Sequence, residues 1–275
     1  YETRTVYIPA FDDEFVISGQ GTVGKEIFDE LKNKIDYVLA PIGGGGLISG
    51  ISAYLKEKNK NTKIIGIEPT GAASMSQSIR LGKVTPLKSI DTFCDGVAVK
   101  TPGQITFSIC KKLVETVQIV NEGQVAKTVI DLYQNEGIVA ETSGALSISA
   151  LENIKEKIKN KTIVCIVSGG NNDLLRYPEI LERSLVYQGK KYYFLIDFAQ
   201  KPGQLKKFVN HVLSPTDDIV LFEYVKKNNK EKGPALVGLE FKDQHHLQPG
   251  LDRLKEFGFN YKILDDTELL YSYLI

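Results

Sequence analysis

The stretch YVLAPIGGGGL, residues 37–47, is an apolar run that stops at four consecutive glycines. From Leu47 to Lys58 apolar residues recur at helical spacing, and charged residues occupy the far face. A short, continuously apolar run is typical of a strand that is buried on both faces of a parallel sheet. The stretch therefore predicts a strand, a glycine loop and a helix, the unit from which α/β folds are built.

Two further apolar runs predict more strands of this sheet. They are Lys63–Glu68 (KIIGIE) and Thr162–Val167 (TIVCIV). The predicted helices are Gln104–Val117, Val125–Glu136 and Ser143–Lys157, the last with Ser143 as its N-cap. Alternating strands and helices predict an α/β fold, a parallel sheet flanked by helices, in a first domain of residues 1–186.

The pattern changes near residue 185, and Leu185–Lys191 is predicted to connect two domains. The second domain, residues 190–275, follows the order strand, helix, strand, strand, helix, strand. Its predicted strands are Tyr192–Phe198, Ile219–Val225, Ala235–Phe241 and a last one from Asn260, with a polar turn at residues 226–233. That order predicts the ferredoxin-like α+β arrangement.

The four consecutive glycines, Gly43 to Gly46, predict a site for a phosphate group. Glycines let several backbone N–H groups approach one anion closely, and the N-terminus of the next helix adds a favourable dipole. The spacing is not G-x-G-x-x-G, and no glycine-lysine pair with Ser or Thr follows. Both absences disfavour a dinucleotide, a nucleoside triphosphate and a nucleotide-binding structural protein.

A second glycine loop, Ser168-Gly169-Gly170-Asn171, ends another predicted strand. Loops at the carboxyl ends of strands line one crevice of an open parallel sheet. The two loops together predict one ligand that is touched at two points. A flexible linker is the alternative interpretation of the first loop, and a pair of ordinary turns is the alternative for the two loops.

The bulk composition is that of a soluble globular chain, with 42% hydrophobic and 25% charged residues. Because 34 basic residues balance 34 acidic ones, nucleic acid is disfavoured as a partner. No apolar run predicts a membrane span or a signal peptide. Three distant cysteines predict neither disulfides nor a metal site, so we expect a cytoplasmic protein. Because the sole methionine is Met75, we expect the chain to be part of a longer protein.

Seven short motifs in a fixed order carry a family resemblance. They are Phe11-Asp12-Asp13, Gly19-Gln20-Gly21-Thr22, Pro41-Ile42-Gly43-Gly44-Gly45-Gly46-Leu47, Gly66-Ile67-Glu68-Pro69, Asp95-Gly96-Val97, Glu141-Thr142-Ser143-Gly144-Ala145 and Ser168-Gly169-Gly170-Asn171. The set resembles the threonine and serine dehydratases with the tryptophan-synthase-type pyridoxal-phosphate fold. The second domain resembles the ACT-like regulatory domain of biosynthetic threonine dehydratase, at Lys201-Pro202-Gly203-Gln204-Leu205 and Val237-Gly238-Leu239-Glu240.

The resemblance implies a site for pyridoxal 5'-phosphate. The cofactor phosphate is expected on the backbone of Gly43, Gly44, Gly45, Gly46 and Leu47. Ser168 is expected to hydrogen-bond the pyridine nitrogen, and its neutral hydroxyl suits elimination of a β-hydroxyl because it does not keep that nitrogen protonated. Gly96, Glu141 and Gly169 are expected near the cofactor. A carboxylate that favours a helix N-terminus is an equally good interpretation of Glu141.

The resemblance also implies an effector site in the second domain. Isoleucine or valine is expected at Pro202, Gly203 and Leu205. Because such domains commonly bind the effector between two copies, a homo-oligomer (a dimer or a tetramer) is expected.

Two features depart from the family pattern. Relatives with a cation site carry carboxylates at positions that here are Glu68, Ala72 and Ser74, so no metal is expected. The family also places its Schiff-base lysine in a Ser-x-Lys-x-Arg-Gly segment, and no such segment occurs in these 275 residues. No catalytic residue is therefore assigned in this chain, which is expected to be inactive alone. Lys25, Lys83 and Lys100 are interpreted as surface charges.

Three functions follow as alternatives. In the first, the parent enzyme converts L-threonine to 2-oxobutanoate and ammonia in isoleucine biosynthesis, under feedback control by a branched-chain amino acid. In the second, it is a related serine dehydratase or racemase. In the third, the chain only senses an amino acid and performs no chemistry.

Overall fold

The computed structural model describes residues 7–265 apart from 226–230, together with Tyr271 and Leu274. The chain divides into two compact units, Tyr1–Leu174 and Leu175–Ile275. The first contains α1 (Glu14–Leu31), β1 (Tyr37–Pro41), α2 (Gly46–Lys58), β2 (Lys63–Pro69), α3 (Ser74–Leu81), α4 (Gln104–Leu113), β3 (Thr116–Val120), α5 (Glu122–Asp131), α6 (Thr142–Ser149), α7 (Leu151–Ile158) and β4 (Ile163–Cys165). The second contains α8 (Tyr177–Tyr187), β5 (Lys191–Ala199), α9 (Gln204–His211), β6 (Asp218–Tyr224), β7 (Lys232–Glu240), α10 (Leu247–Glu256) and β8 (Tyr261–Ile263).

The first unit is built on a parallel sheet with the strand order β3-β2-β1-β4. Tyr37 of β1 lies opposite Lys63 of β2 on one side and Ile163 of β4 on the other. Helices flank this sheet, and the first prediction of fold class is confirmed. The side chains of β1, of α2 and of Ile42 between them supply much of the core: Val38, Ala40, Ile42, Ile48, Ile51 and Leu55.

The predicted helix Gln104–Val117 is too long. α4 ends at Leu113, and the chain turns into the edge strand β3, which pairs with β2. The amide of Glu115 already donates to the carbonyl of Ile64 at 2.8 Å. The residues TVQIV of β3 are largely β-branched, and such residues favour strands.

The predicted helix Ser143–Lys157 is also corrected. It begins at Thr142 and is interrupted at Ala150, which separates α6 from α7. Glu141 occupies the N-cap position, and no side chain caps the helix there. Ser143 therefore lies inside the first turn, where its hydroxyl is free for another role.

The second unit is an antiparallel sheet with the order β6-β7-β5-β8. β5 lies in the middle and pairs with both β7 and β8. This is the strand order of a ferredoxin-like domain, and the prediction is confirmed. One face carries an aromatic core that includes Phe194, Phe198 and Phe208. Residues 226–230 of the predicted turn lie outside the described residues.

α8 belongs to the second unit, although the predicted domain boundary lay beyond it, at 186–190. That boundary stays a prediction. Within the described residues, no helix has both the length and the apolar character needed to cross a membrane.

Candidate cofactor site

The glycine loop leaves the end of β1 and enters α2 with a row of unused donors. The amide of Ile42 donates to Ile67 at 2.8 Å, and that of Ser49 donates to the carbonyl of Gly45 at 3.0 Å. Between them, the amides of residues 43–47 have no acceptor within the described part of the chain. Backbone N–H groups at a helix N-terminus bind anions, and this row therefore suits a phosphate group.

The far side of the loop is tightly packed, which explains why glycines are needed. A side chain at Gly44 would overlap the ring of Phe11, and a Cβ at Gly45 would lie 2.8 Å from Cε of Met75. Gly45 also has φ of 93°, a left-handed conformation that disfavours other residues. Because one side is filled, a ligand can reach the loop only on the side of its unused amides.

Two side chains that the sequence analysis did not single out hold this loop. Thr106 is buried and donates from Oγ1 to the carbonyl of Gly44 at 2.6 Å. The Asp12 carboxylate accepts from the amides of Gln104, Ile105 and Thr106 at 2.8, 2.9 and 3.1 Å. α4 has Gly103 at its N-cap, and a glycine cannot cap a helix with its side chain, so the cap comes from the distant Asp12, which local sequence did not reveal.

The second glycine loop lies against the start of α6. The amide of Glu141 donates to the carbonyl of Gly169 at 3.1 Å. A Cβ at Gly169 would lie 2.5 Å from Oε1 of Glu141, and one at Gly96 would lie 3.3 Å from the same atom. The three residues expected near the cofactor therefore lie together. A Cβ at Gly43 would lie 3.0 Å from Cα of Val97, so the first loop adjoins this group.

The polar groups around the two loops fit an anionic ligand with a polar ring. Ser143 is buried, and its Oγ has no hydrogen-bond partner among the described residues. A Cβ at Gly96 would lie 2.8 Å from that oxygen, which places the hydroxyl at the same group of residues. Ser168, expected at the pyridine nitrogen, is exposed. Unused amides and hydroxyls are the donors that pyridoxal 5'-phosphate requires.

Glu68, the first of the three cation-site positions, has a different role. Its buried carboxylate accepts from the amides of Met75 and Ser76, each at 2.8 Å, and so caps α3. Burial raises the pKa of Glu68 to about 7, although those two hydrogen bonds lower it. Ala72 and Ser74 add no carboxylate. No cluster of three or more metal-ligating side chains occurs among the residues that the structure describes.

The three residues expected to bind an effector line one cavity in the second unit. It has a volume of about 180 Å³ and lies at the turn between β5 and α9. Its walls are Phe198, Gln200, Lys201, Pro202, Gly203, Gln204, Leu205, Phe222 and Tyr224. The structure therefore brings Pro202, Gly203 and Leu205 together with an aromatic wall that the sequence analysis did not identify.

Comparisons with known proteins agree with this fold. Residues 2–169 match the family model described as pyridoxal-phosphate dependent enzyme, and the chain belongs to that family. Residues 182–274 match the family model described as the C-terminal regulatory domain of threonine dehydratase. The two matches together cover nearly the whole chain.

Individual proteins are similar to this chain over much of its length. The chain is 48% identical to a biosynthetic L-threonine dehydratase of Halalkalibacterium halodurans, over 99% of this chain and 66% of that protein. It thus spans just under two thirds of the curated relatives it matches. The solved threonine deaminase isoform 2 of Solanum lycopersicum, in its processed form, is 44% identical, with a TM-score of 0.62 over 65% of this chain and 52% of that one. Maize serine racemase is 32% identical, with a TM-score of 0.60 over 68% and 57%.

Proposed function

We propose that the protein containing this chain removes water and ammonia from L-threonine to form 2-oxobutanoate, in isoleucine biosynthesis. The observation that carries the proposal is the row of unused amides at residues 43–47 in a chain that also holds a regulatory unit. A sensing domain fits a biosynthetic enzyme whose output is regulated. Similarity to enzymes named biosynthetic L-threonine dehydratase supports the same reaction.

Each site residue has a proposed role toward the cofactor. The amides of Gly43–Leu47 hold the phosphate, and Ser168 donates toward the pyridine nitrogen. The bound cofactor supplies an electron sink for the substrate carbon that loses its proton. Glu141 closes the site between Gly96 and Gly169, where its carboxylate lies.

The substrate assay compares threonine with serine in the full-length protein. We expect kcat/KM for 2-oxobutanoate formation from L-threonine to exceed that for pyruvate formation from L-serine. The similarity to maize serine racemase makes D-serine formation the second candidate activity. D-serine formation from L-serine that is faster than 2-oxobutanoate formation from L-threonine would favour that candidate and contradict the proposal.

We further propose that a polypeptide of residues 1–275 has no turnover alone. The reaction needs a lysine amine to hold the cofactor and to remove the α-proton, and no lysine here lies in the family's segment. Lys25, Lys83 and Lys100 are all exposed. Pyridoxal phosphate and threonine should give no 2-oxobutanoate with this polypeptide. Activity should return when the part of a relative outside the match is added as a second polypeptide, and turnover without it would contradict the proposal.

The cavity beside α9 is the proposed site for isoleucine or valine. The ring of Phe198 lies 5.9 Å from Phe222 and 5.6 Å from Tyr224, and these rings form an apolar wall. Cavities of roughly 150 Å³ admit benzene, so about 180 Å³ can admit a branched side chain. The N-terminus of α9 and the Lys201 ammonium would hold the carboxylate.

Titration calorimetry tests this effector site. We expect isoleucine or valine to release heat with a Kd in the micromolar to millimolar range, and glycine to release none. Lys201→Ala should weaken that binding, whereas Lys206→Ala, a change outside the cavity lining, should not. Equal heats from glycine and isoleucine would contradict the proposed effector.

Two further properties belong to the same proposal. Self-association into a dimer or a tetramer would complete an effector site between copies, and light scattering with and without isoleucine measures it. The three cysteines, two of them buried and none in a disulfide within the described part of the chain, support a reducing, cytoplasmic location.

A further inference from the structure

We propose that Thr106 and Asp12 are positioning residues that aim the glycine-loop amides at the cofactor phosphate. The proposal rests on the role proposed above for residues 43–47. It adds two side chains that do not touch the ligand and that act through the backbone of Gly44 and Gly45.

The first step is the orientation of one peptide group. Thr106 Oγ1 donates to the carbonyl of Gly44 at 2.6 Å. Because a trans peptide is planar, its N–H points opposite to its carbonyl. The Gly44 carbonyl is fixed toward Thr106, and the N–H of Gly45 is therefore fixed in the opposite direction, away from the packed side of the loop. This fixes one of the unused donors.

The second step explains why the loop needs such a bond. Four consecutive glycines have access to more backbone conformations than any other residues, and ordering them is entropically costly. Gly45 must also keep φ at 93°. A buried hydrogen bond from a threonine selects one of these conformations before the ligand arrives. Preorganisation of this kind raises affinity without a new contact to the ligand.

The third step is the support of Thr106 itself. The amide of Thr106 donates to Oδ1 of Asp12 at 3.1 Å. The same Asp12 carboxylate accepts from the amides of Gln104 and Ile105 and so caps the first turn of α4. Gly103 leaves room for this cap, because a Cβ there would overlap the Asp12 carboxylate. Asp13, the next residue, caps α1 through the amides of Phe15 and Val16 at 2.9 and 3.1 Å. Two helix caps in succession thus hold Phe11 against the glycine loop.

The test separates the phosphate from the rest of the cofactor. Pyridoxine 5'-phosphate and pyridoxine serve as probes, because neither has an aldehyde that could react with surface lysines. We expect Thr106→Val to weaken binding of the phosphate ester about tenfold and to leave pyridoxine binding unchanged. Thr106→Ser keeps the hydroxyl and should restore the preference for pyridoxine 5'-phosphate over pyridoxine. Thr128→Val is the matched control, since Oγ1 of Thr128 donates to the carbonyl of Gln124 in its own helix.

Each outcome has a defined meaning. If the unaltered chain binds both probes equally, the proposed role of the loop fails. If that chain prefers the phosphate ester and Thr106→Val keeps the whole preference, only the positioning role fails. Asp12→Asn should reduce the preference in the same direction, and it carries the test if Thr106→Val does not fold. In chains labelled with ¹⁵N-glycine, the Gly45 amide signal should shift on addition of inorganic phosphate, and less so in Thr106→Val.

Discussion

At the scale of single residues, Gly45 of the glycine loop is constrained by both its conformation and its packing. Gly45→Ala would place a Cβ 2.8 Å from Met75 Cε at a φ of 93°. We expect a loss of about 1–3 kcal/mol in the free energy of unfolding, measured by urea denaturation. Gly19→Ala is the control, because it adds a methyl in open space within α1 and should stabilise by roughly 0.5–1 kcal/mol. Equal stability of the two variants would show that the left-handed conformation and the packing of Gly45 do not exclude a side chain.

The buried Glu68 carboxyl predicts a pH dependence of stability. Its pKa is about 7 in the folded chain against 4.5 for an ordinary glutamate, so the folded state retains the proton longer. Stability from this group is complete below pH 4.5 and is lost as the pH rises to about 7. Relative to Glu68→Gln, the free energy of unfolding of the unaltered chain should fall by about 3 kcal/mol at most over that interval. Parallel stability profiles from pH 4.5 to 8 would contradict the shift.

Residues whose role depends on local spacing could be predicted from the sequence. Gly43 to Gly46 stand next to a strand and a helix, and this context alone indicated an anion site. Asp12 could not be predicted in the same way, because its cap bonds reach residues 92 to 94 positions away. A carboxylate reveals such a role only when the fold brings a distant helix to it.

At the scale of elements, α8 is tied to β5 by a group of three polar side chains. Glu182 of α8 accepts from the Tyr193 hydroxyl at 2.7 Å and pairs with the Lys191 ammonium. The side chains of Glu182 and Lys191 are only 17% and 11% exposed. A charge pair this far buried is destabilised strongly when one partner is removed.

This group predicts an order of effects. Glu182→Gln should cost about 3–5 kcal/mol in the free energy of unfolding, since it leaves the Lys191 charge without its partner. Tyr193→Phe should cost about 1.5–3 kcal/mol, the range for a hydrogen bond to a charged group. Thermal and urea unfolding would measure both. Asp29→Asn breaks the exposed pair with Lys25 and should leave stability unchanged. A larger effect at Asp29 than at Glu182 would reverse the expected order.

The elements that could not be predicted share a cause. The start of β3, Thr116 and Val117, was assigned to the end of a helix, although its β-branched residues favour a strand, because its pairing with β2 is visible only in the fold. The break at Ala150 lies in a run of small and apolar residues with no Gly or Pro to mark it. β1 and β2 were located well because continuous burial leaves a continuous apolar run. Sequence patterns therefore located the buried strands β1 and β2 better than the edge strand β3.

At the scale of the whole molecule, the two folds were predictable while the division between them was harder to place. The order of strands and helices was sufficient for both the parallel sheet and the ferredoxin-like unit. The predicted connector at 185–191 is instead a hydrogen-bonded segment. Gly189 donates to Val186 at 3.0 Å, and the Lys190 carbonyl accepts from Phe241 at 2.7 Å. The sequence near the end of α8 gave no indication that this helix belongs to the second unit.

This geometry changes where limited proteolysis should first separate the two units. Proteases cut exposed segments between compact units before they cut packed ones. Leu174 and Leu175 are 79% and 85% exposed, and they lie in a short 3-10 turn, Leu174–Arg176, just before α8. Chymotrypsin should therefore cut there, leaving fragments near 1–174 and 176–275 by mass spectrometry. Trypsin should spare Lys190, because both that residue's amide and its carbonyl are bonded. A separating cut at 185–191, or within 37–67, would show that the boundary lies elsewhere.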